Sequence, residues 1–195
     1  MEFQEDVKKI LAIGDFHIPE RADRIPDWII DILSKETKNR KFDFVLCTGD
    51  LTEEKILKEL SNFGTVKCVK GNMDYLNLPE RELINLGRVK ILLLHGSEIH
   101  PRGDIRQLDE IRKVEDADIV VHGHTHKMSF EKIETKDGIA VFINPGTATG
   151  VWGGSSDETS QTFLIIEIKH NDVRFIFFED GKIKKEEVLC IQKKR

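Results

Sequence analysis

At 195 residues, with a net charge of -5, 33% charged and 39% hydrophobic side chains, the chain has the length and balance of one globular domain, residues 1–195, with a full core. The acidic balance shows no basic bias and argues against a dedicated nucleic-acid binder, so no stable DNA or RNA partner is expected. Small phosphate compounds stay open as substrates, because bound cations would supply positive charge locally.

No apolar run approaches the ~20 residues of a membrane span. The amino-terminal Met1-Glu2-Phe3-Gln4-Glu5-Asp6 lacks the basic head and apolar core of a secretory signal, and a cytoplasmic location is expected. Ile10-Leu11-Ala12-Ile13 reads as a buried strand stopped by Gly14, with Asp15-Phe16-His17 at its end. Ile25, Trp28, Ile29, Ile32 and Leu33 then fall at helical spacing on one face, with Pro26 at the entrance. After the polar connector Lys38-Asn39-Arg40-Lys41, Phe42 to Cys47 forms a second strand ending at Thr48-Gly49-Asp50. A second helix is expected from an N-cap at Thr52, with Glu53 and Glu54 in its first turn. It would turn Ile56, Leu57, Leu60 and Phe63 inward and stop at Gly64. Val66 to Val69 is a third strand, ending at Gly71-Asn72-Met73-Asp74. Strand, helix, strand, helix, strand implies a parallel sheet with right-handed crossovers. Cys47, Cys68 and Cys190 are widely spaced, so neither a thiolate zinc site nor a disulfide framework is expected. Cys47 and Cys68 read as buried, inert thiols.

Past Pro79, Glu82 to Leu86 and Val89 to Leu94 flank Gly87-Arg88 as a hairpin, whose second arm ends at His95-Gly96. A helix over Asp104 to Glu115 would place Ile105, Leu108, Ile111 and Val114 on one side. Ile119-Val120-Val121 is a short buried strand running into His122-Gly123-His124-Thr125-His126. Ile139 to Ile143 is another, ending at Asn144-Pro145-Gly146-Thr147. Val151 to Ser160 is a Gly/Ser-rich loop, and Phe163 to Lys169 with Val173 to Phe178 forms a hairpin around His170-Asn171-Asp172. The α/β pattern, without repeats or linkers, fits two mixed β-sheets packed as a sandwich flanked by helices.

Residues able to bind metal collect at the ends of the apolar runs: Asp15, His17, Asp50, Asn72, His95, His124 and His126. A lone His-x-His pair is weak evidence, since such histidines are more often structural. Singly, Asp50 reads equally well as a cap and Asn72 as a turn residue; their order sets them apart. Carboxylate, amide and imidazole donors without thiolate suit two divalent cations. Mn²⁺ is the first choice, with Ni²⁺, Zn²⁺ or Fe as alternatives, and Asp50 is placed to bridge the pair. Two such ions about 3.5–4 Å apart polarise a phosphoryl oxygen and acidify a bridging water, whose hydroxide attacks phosphorus in line.

Asp15-Phe16-His17, Gly49-Asp50, Gly71-Asn72, His95-Gly96 and Gly123-His124-Thr125-His126 resemble, in this order, the motifs of the calcineurin-like metallophosphoesterases. The resemblance implies the metallophosphoesterase fold, with Asp15, His17, Asp50 and His126 on one metal and Asp50, Asn72, His95 and His124 on the other. It also implies catalytic roles for Asp50, Asn72, Asp74 and His95. Asn144-Pro145-Gly146-Thr147 is similar to a loop of the small bacterial and archaeal branch, which implies a phosphodiesterase acting on a small phosphodiester. Gly14-Asp15-Phe16-His17-Ile18-Pro19, Leu46-Cys47-Thr48-Gly49 and Ile143 to Gly150 further resemble the phosphoesterase-fold subunit of the eukaryotic retromer, a trafficking scaffold. That likeness implies a second class of function, docking of a protein partner with weak or no catalysis; a homodimer is compatible with either.

One position departs from the pattern. Many members carry a histidine after the Asn, proposed to protonate the leaving group, where this chain has Met73. His100 or His122 is the candidate substitute, although His122 reads as structural and His100 and His170 as ordinary loop histidines. Trp152 and Phe16 are candidates for a substrate wall. Ile18, Pro19, Leu76 and Leu78 form either a protein-binding patch or simple loop packing. Other metal-hydrolase patterns fit less well. The His-x-His-x-Asp-His loop of metallo-β-lactamases fails at Lys127, and an amidohydrolase barrel needs a much longer chain.

Overall fold

The apolar runs become strands with both faces buried, and this decides the layering. The computed structural model describes residues 7–136, 138–154 and 159–191. The amino-terminal hexapeptide and residues 155–158 of the Gly/Ser-rich loop lie outside the described residues. In chain order the elements are β1 (Lys8–Ile13), α1 (Asp27–Glu36), β2 (Phe42–Cys47), α2 (Lys55–Ser61), β3 (Gly64–Cys68), β4 (Arg81–Asn85) and β5 (Lys90–Leu94). There follow α3 (Ile105–Val114), β6 (Ile119–Val121), β7 (Met128–Thr135), β8 (Gly138–Pro145), β9 (Thr162–Lys169), β10 (Asp172–Glu179) and β11 (Lys182–Cys190). One sheet has the order β11-β10-β9-β1-β2-β3 and the other β4-β5-β6-β8-β7. Both are mixed: β1, β2 and β3 run parallel, as do β5, β6 and β8, while the outer pairings are antiparallel.

Alternation along each strand sends side chains to two cores. In β1, Ile10 and Ala12 face the other sheet and meet Leu93, Val121 and Ile143 among others, whereas Leu11 and Ile13 face the α1 and α2 side with Ile29, Leu33 and Leu60. The second sheet repeats the rule, with Leu92, Val120 and Phe142 turned outward onto Leu108 of α3. The result is the sandwich flanked by helices that the sequence implied. The carboxyl ends of the parallel strands of both sheets lead into the loops that carry the candidate ligands. This is where open α/β sheets place their sites.

Several local expectations are corrected. Thr52 is not an N-cap. Its φ is 65°, its hydroxyl donates to the carbonyl of Ile18, and Glu54 holds the cap position without a side-chain bond. Val114 is 82% exposed, because the last residue of α3 has left the sheet that buries Leu108. Strands β7 and β11 were not foreseen. Both are edge strands with mostly polar, partly exposed residues, which protects an edge from adventitious pairing but hides it from a hydrophobic reading. Phe16 and Ile18 are fully buried in the helix-side core, so neither forms a substrate wall or a surface patch. Leu76 and Leu78 pack partly buried against the same core. Among the described residues no helix is long and apolar enough to cross a membrane.

Phe175 sits fully buried between the sheets, its ring 5.3 Å from that of Phe130. Phe175→Ala should cost about 3–5 kcal/mol of stability. In urea unfolding the midpoint should fall with little change in slope.

Candidate metal centre

The site begins with backbone conformation. Asp15, His17, Asp50, His124 and His126 all adopt positive φ, between 48° and 67°. This is uncommon for residues other than glycine, and such strain gathers at functional sites. Glycines beside them permit close approach. A Cβ on Gly71 would lie 2.1 Å from Asp50 Oδ1, and one on Gly123 would lie 3.0 Å from Asp15 Oδ2. Hydrogen bonds then tie the strand-end loops together. The Asp15 amide donates to the Gly49 carbonyl at 3.0 Å, the His17 amide to the Asp50 carbonyl at 2.9 Å, and the His124 amide to Asp15 Oδ2 at 3.1 Å.

Ligand atoms of Asp15, His17, Asp50 and His126, all buried, lie within 4.8 Å of one another. The tautomers follow from their partners. The carbonyls of Val151 and Thr48 can only accept, so His126 and His95 donate from Nδ1 at 2.8 and 2.7 Å, and their Nε2 lone pairs point inward. His126 Nε2 then faces His17 Nε2 at 3.1 Å, and His95 Nε2 faces Asn72 Oδ1 at 3.0 Å. Asp50 Oδ2 stands between the two groups, 3.3 Å from His17 Nε2 and 3.5 Å from His95 Nε2. The His124 ring meets that of His95 edge-on, with centroids 5.1 Å apart. Acceptors converging in this way fit divalent cations.

Electrostatics point the same way. Burial, with the nearby Asp50 charge, raises the Asp15 carboxyl well above its usual range, and burial raises Asp50 despite the opposing pull of His95. Burial also depresses three of the imidazoles, reinforced by neighbouring positive charge. His17 falls to about 3, with His126 and Arg21 contributing, and His124 to about 4, with His95 and Arg102 contributing. His126 is lowered as well, chiefly by burial. His17, His124 and His126 are therefore favoured in the neutral form, the form that binds metal.

Asp74 orders the loops around the candidate ligands. Its carboxylate accepts the amides of Asp50, Leu51, Thr52 and Gly71 at 2.8–2.9 Å, so it shapes the two loops that present Asp50 and Asn72. Asn144 does the same for the histidine loop, donating to the Gly123 carbonyl at 2.8 Å and Thr125 Oγ1 at 3.0 Å. His122 is buried behind this loop, near the Asn144 amide, and His100 is exposed; neither lines the cleft over the centre. Among the described residues no imidazole outside the candidate ligand set lines the cleft. Trp152 does line the cleft, as do Arg21 and Arg102, which sequence reasoning missed. Arg21, four residues beyond His17, was the one available signal.

Residues 9–171 match the calcineurin-like phosphoesterase superfamily domain. The chain is 35% identical over 138 residues to a probable metallophosphoesterase of Methanocaldococcus jannaschii, covering 71% of this chain and 67% of that one. It is 36% identical over 141 residues to a probable metallophosphoesterase of Methanothermobacter thermautotrophicus, covering 71% and 76%. Its fold is similar to that of wild-type Vps29 from Entamoeba histolytica in complex with Zn²⁺, with a TM-score of 0.81 and 34% identity over 93% of this chain and 98% of that one. The chain belongs to the calcineurin-like phosphoesterase superfamily.

Two outcomes are expected. Asp74→Ala strands buried amides and should cost about 3 kcal/mol or more of stability, read by thermal unfolding. It should also weaken divalent-metal affinity about 10–100-fold, read by competition with a chelating dye. The second outcome concerns pH. A cation must displace the protons that Asp15 and Asp50 retain at low pH, whereas His17 and His124 are already neutral above about 4. Metal-induced stabilisation should therefore grow as pH rises through the raised carboxyl values, so the Mn²⁺-minus-EDTA shift in melting temperature should be larger at about pH 7.5 than at about pH 5. Equal shifts would contradict the assignment.

Proposed function

We propose that this chain is a divalent-metal-dependent phosphodiesterase acting on small phosphodiesters. The observation that carries the reading is the position of Asp50 Oδ2 between His17 and His95, which gives two groups of converging acceptors one shared carboxylate. In this reading Asp15, His17, Asp50 and His126 hold one cation, and Asp50, Asn72, His95 and His124 hold a second. Mn²⁺ is the first choice and Ni²⁺, Zn²⁺ or Fe the alternatives. Bound there, the cations supply Lewis-acid polarisation of a phosphoryl oxygen and lower the pKa of water.

The chain's own residues do the rest. Asn72 is exposed to the cleft, so its amide oxygen meets both the centre and the incoming ester. Thr48 and Val151 fix the imidazoles that face the centre, and Asp74 fixes the loops. Met73 supports turnover of diesters with good leaving groups over alkyl monoesters, because a thioether donates no proton. A protein-docking scaffold is the second reading, supported by the 34% identity to Vps29 over nearly the whole chain.

Purified protein should hydrolyse bis-p-nitrophenyl phosphate faster than p-nitrophenyl phosphate, with Mn²⁺, Ni²⁺ or Zn²⁺ required and EDTA abolishing turnover. Asp50→Asn should lower kcat/KM at least about 100-fold by losing the shared ligand. Absence of turnover with every cation, despite metal bound, would overturn the enzymatic reading in favour of the scaffold.

A further inference from the structure

The cleft over the candidate ligands, about 210 Å³ in volume, has two features that its floor does not explain. The first is a strap, Val151 to Gly153, with three consecutive carbonyls held from three directions. His126 Nδ1 donates to Val151 at 2.8 Å, Arg21 Nη1 to Trp152 at 2.9 Å, and Arg102 Nη1 to Gly153. The strap lies directly on the floor, since a Cβ on Gly153 would stand 2.6 Å from His126 Cγ. Both guanidiniums line the cleft, and among the described residues neither has a carboxylate partner. Each has five N–H donors and uses one on the strap, so two positive charges and a set of parallel donors remain at the mouth. The second feature is chemical. Among the described residues lining the cleft, Met73 donates no proton and the imidazoles of His17, His124 and His126 belong to the candidate ligand set, so no side chain there is free to protonate a leaving oxygen.

A simple diester answers neither feature. It carries one negative charge against two guanidiniums, and an alkoxide leaving group needs a proton. Resting on the phosphodiesterase reading above, we propose that the substrate is a diester of pyrophosphate, and that Arg21 and Arg102 bind the phosphate that leaves. The guanidinium fork matches two phosphate oxygens at once. A phosphate monoester is stable as an anion at neutral pH, its second pKa being about 6, so it departs without a general acid.

The step balances as follows. The oxygen of water forms a bond to one phosphorus, and the bond from that phosphorus to the bridging oxygen breaks. The bridging oxygen keeps the electron pair and leaves as part of the second phosphate. One diester of charge -2 and one water give two phosphate monoester dianions, and two protons pass to solvent.

The test uses the metal-supplemented chain and Arg21→Gln, Arg102→Gln and the double variant. Glutamine keeps an amide donor for the strap carbonyl while removing the charge and the fork. Substrates are P1,P2-dimethyl pyrophosphate and methyl p-nitrophenyl phosphate. The unsubstituted chain should hydrolyse the pyrophosphate, and the double variant should lose about 10–100-fold in kcat/KM on it, at least tenfold more than on the aryl diester. Calorimetry in EDTA with the P1,P2-dimethyl ester of methylenediphosphonate should show binding weakened at least tenfold in the double variant. Equal losses on the two substrates, or unchanged binding, would mean that the arginines only hold the strap and would overturn the proposal. Turnover of the aryl diester without the pyrophosphate would overturn it and leave the phosphodiesterase reading standing. Turnover of neither would overturn both.

Discussion

Two carboxylates, Asp15 and Asp50, are buried within a few ångströms of each other and of imidazole nitrogens that present lone pairs, and the rest of the structure answers to that arrangement. In a low-dielectric interior such a group is costly unless a cation accepts the charge. Protons are the substitute in the protein alone, so burial raises both carboxyls while it keeps His17 neutral. The same demand explains the backbone. Five candidate ligands hold left-handed conformations, each of which costs of order 1–3 kcal/mol in the general case. They persist because the surroundings over-determine them. Asp74 anchors the loops after β2 and β3 through four amides, and Asn144 anchors the loop after β6.

Topology makes this convergence affordable in chain length. Each of β1, β2, β3, β5, β6 and β8 ends near one edge of the sandwich, so residues from position 15 to position 126 meet without any long connecting segment. Mixed pairing matters here. β9 closes the first sheet antiparallel to β1, and the bridge of Thr147 to Gln161 joins the loop after β8 to the segment entering β9. The two sheets are thereby tied at the site itself, where Thr147 Oγ1 also donates to the Asp15 carbonyl at 2.7 Å. The candidate metal centre is built across the seam between the sheets.

The sequence was most legible where one physical signal was undiluted. Fully buried strands such as Phe42–Cys47 and Ile119–Val121 appear as unbroken apolar runs, and ligand residues directly after them stand out with their glycines. Legibility failed where a residue's role depends on partners distant in sequence. That Asp74 accepts the amides of Asp50, Leu51 and Thr52, more than twenty residues back, cannot be read in one dimension. Phe16 and Ile18, flanked by polar residues, look exposed. The positive φ of Asp15 and His17 turns the chain so that both apolar side chains enter the helix-side core. Edge strands β7 and β11 carry too many charges for any periodicity to show. Arg21 and Arg102 are ordinary surface arginines in one dimension and become rim residues only once the strap from Val151 to Gly153 lies between them.

Similarity to a Zn²⁺-bound Vps29 means that the ligand set by itself does not separate an enzyme from a scaffold. A structural cation would need the same carboxylates and imidazoles, the same tautomers and the same buttressing by Asp74. The separating features are those that neither folding nor metal binding requires. A purely structural centre gains nothing from an Asn72 exposed toward an open cleft, and it gains nothing from two guanidiniums held at the mouth by backbone carbonyls without carboxylate partners among the described residues. Positive charge beside the buried imidazoles depresses their proton affinity further, as Arg21 does at His17 and Arg102 at His124, and keeps them in the neutral form that binds metal. Two guanidiniums facing an open cleft favour an anionic ligand between the rim and the floor, which a cation held only for structure would not call for.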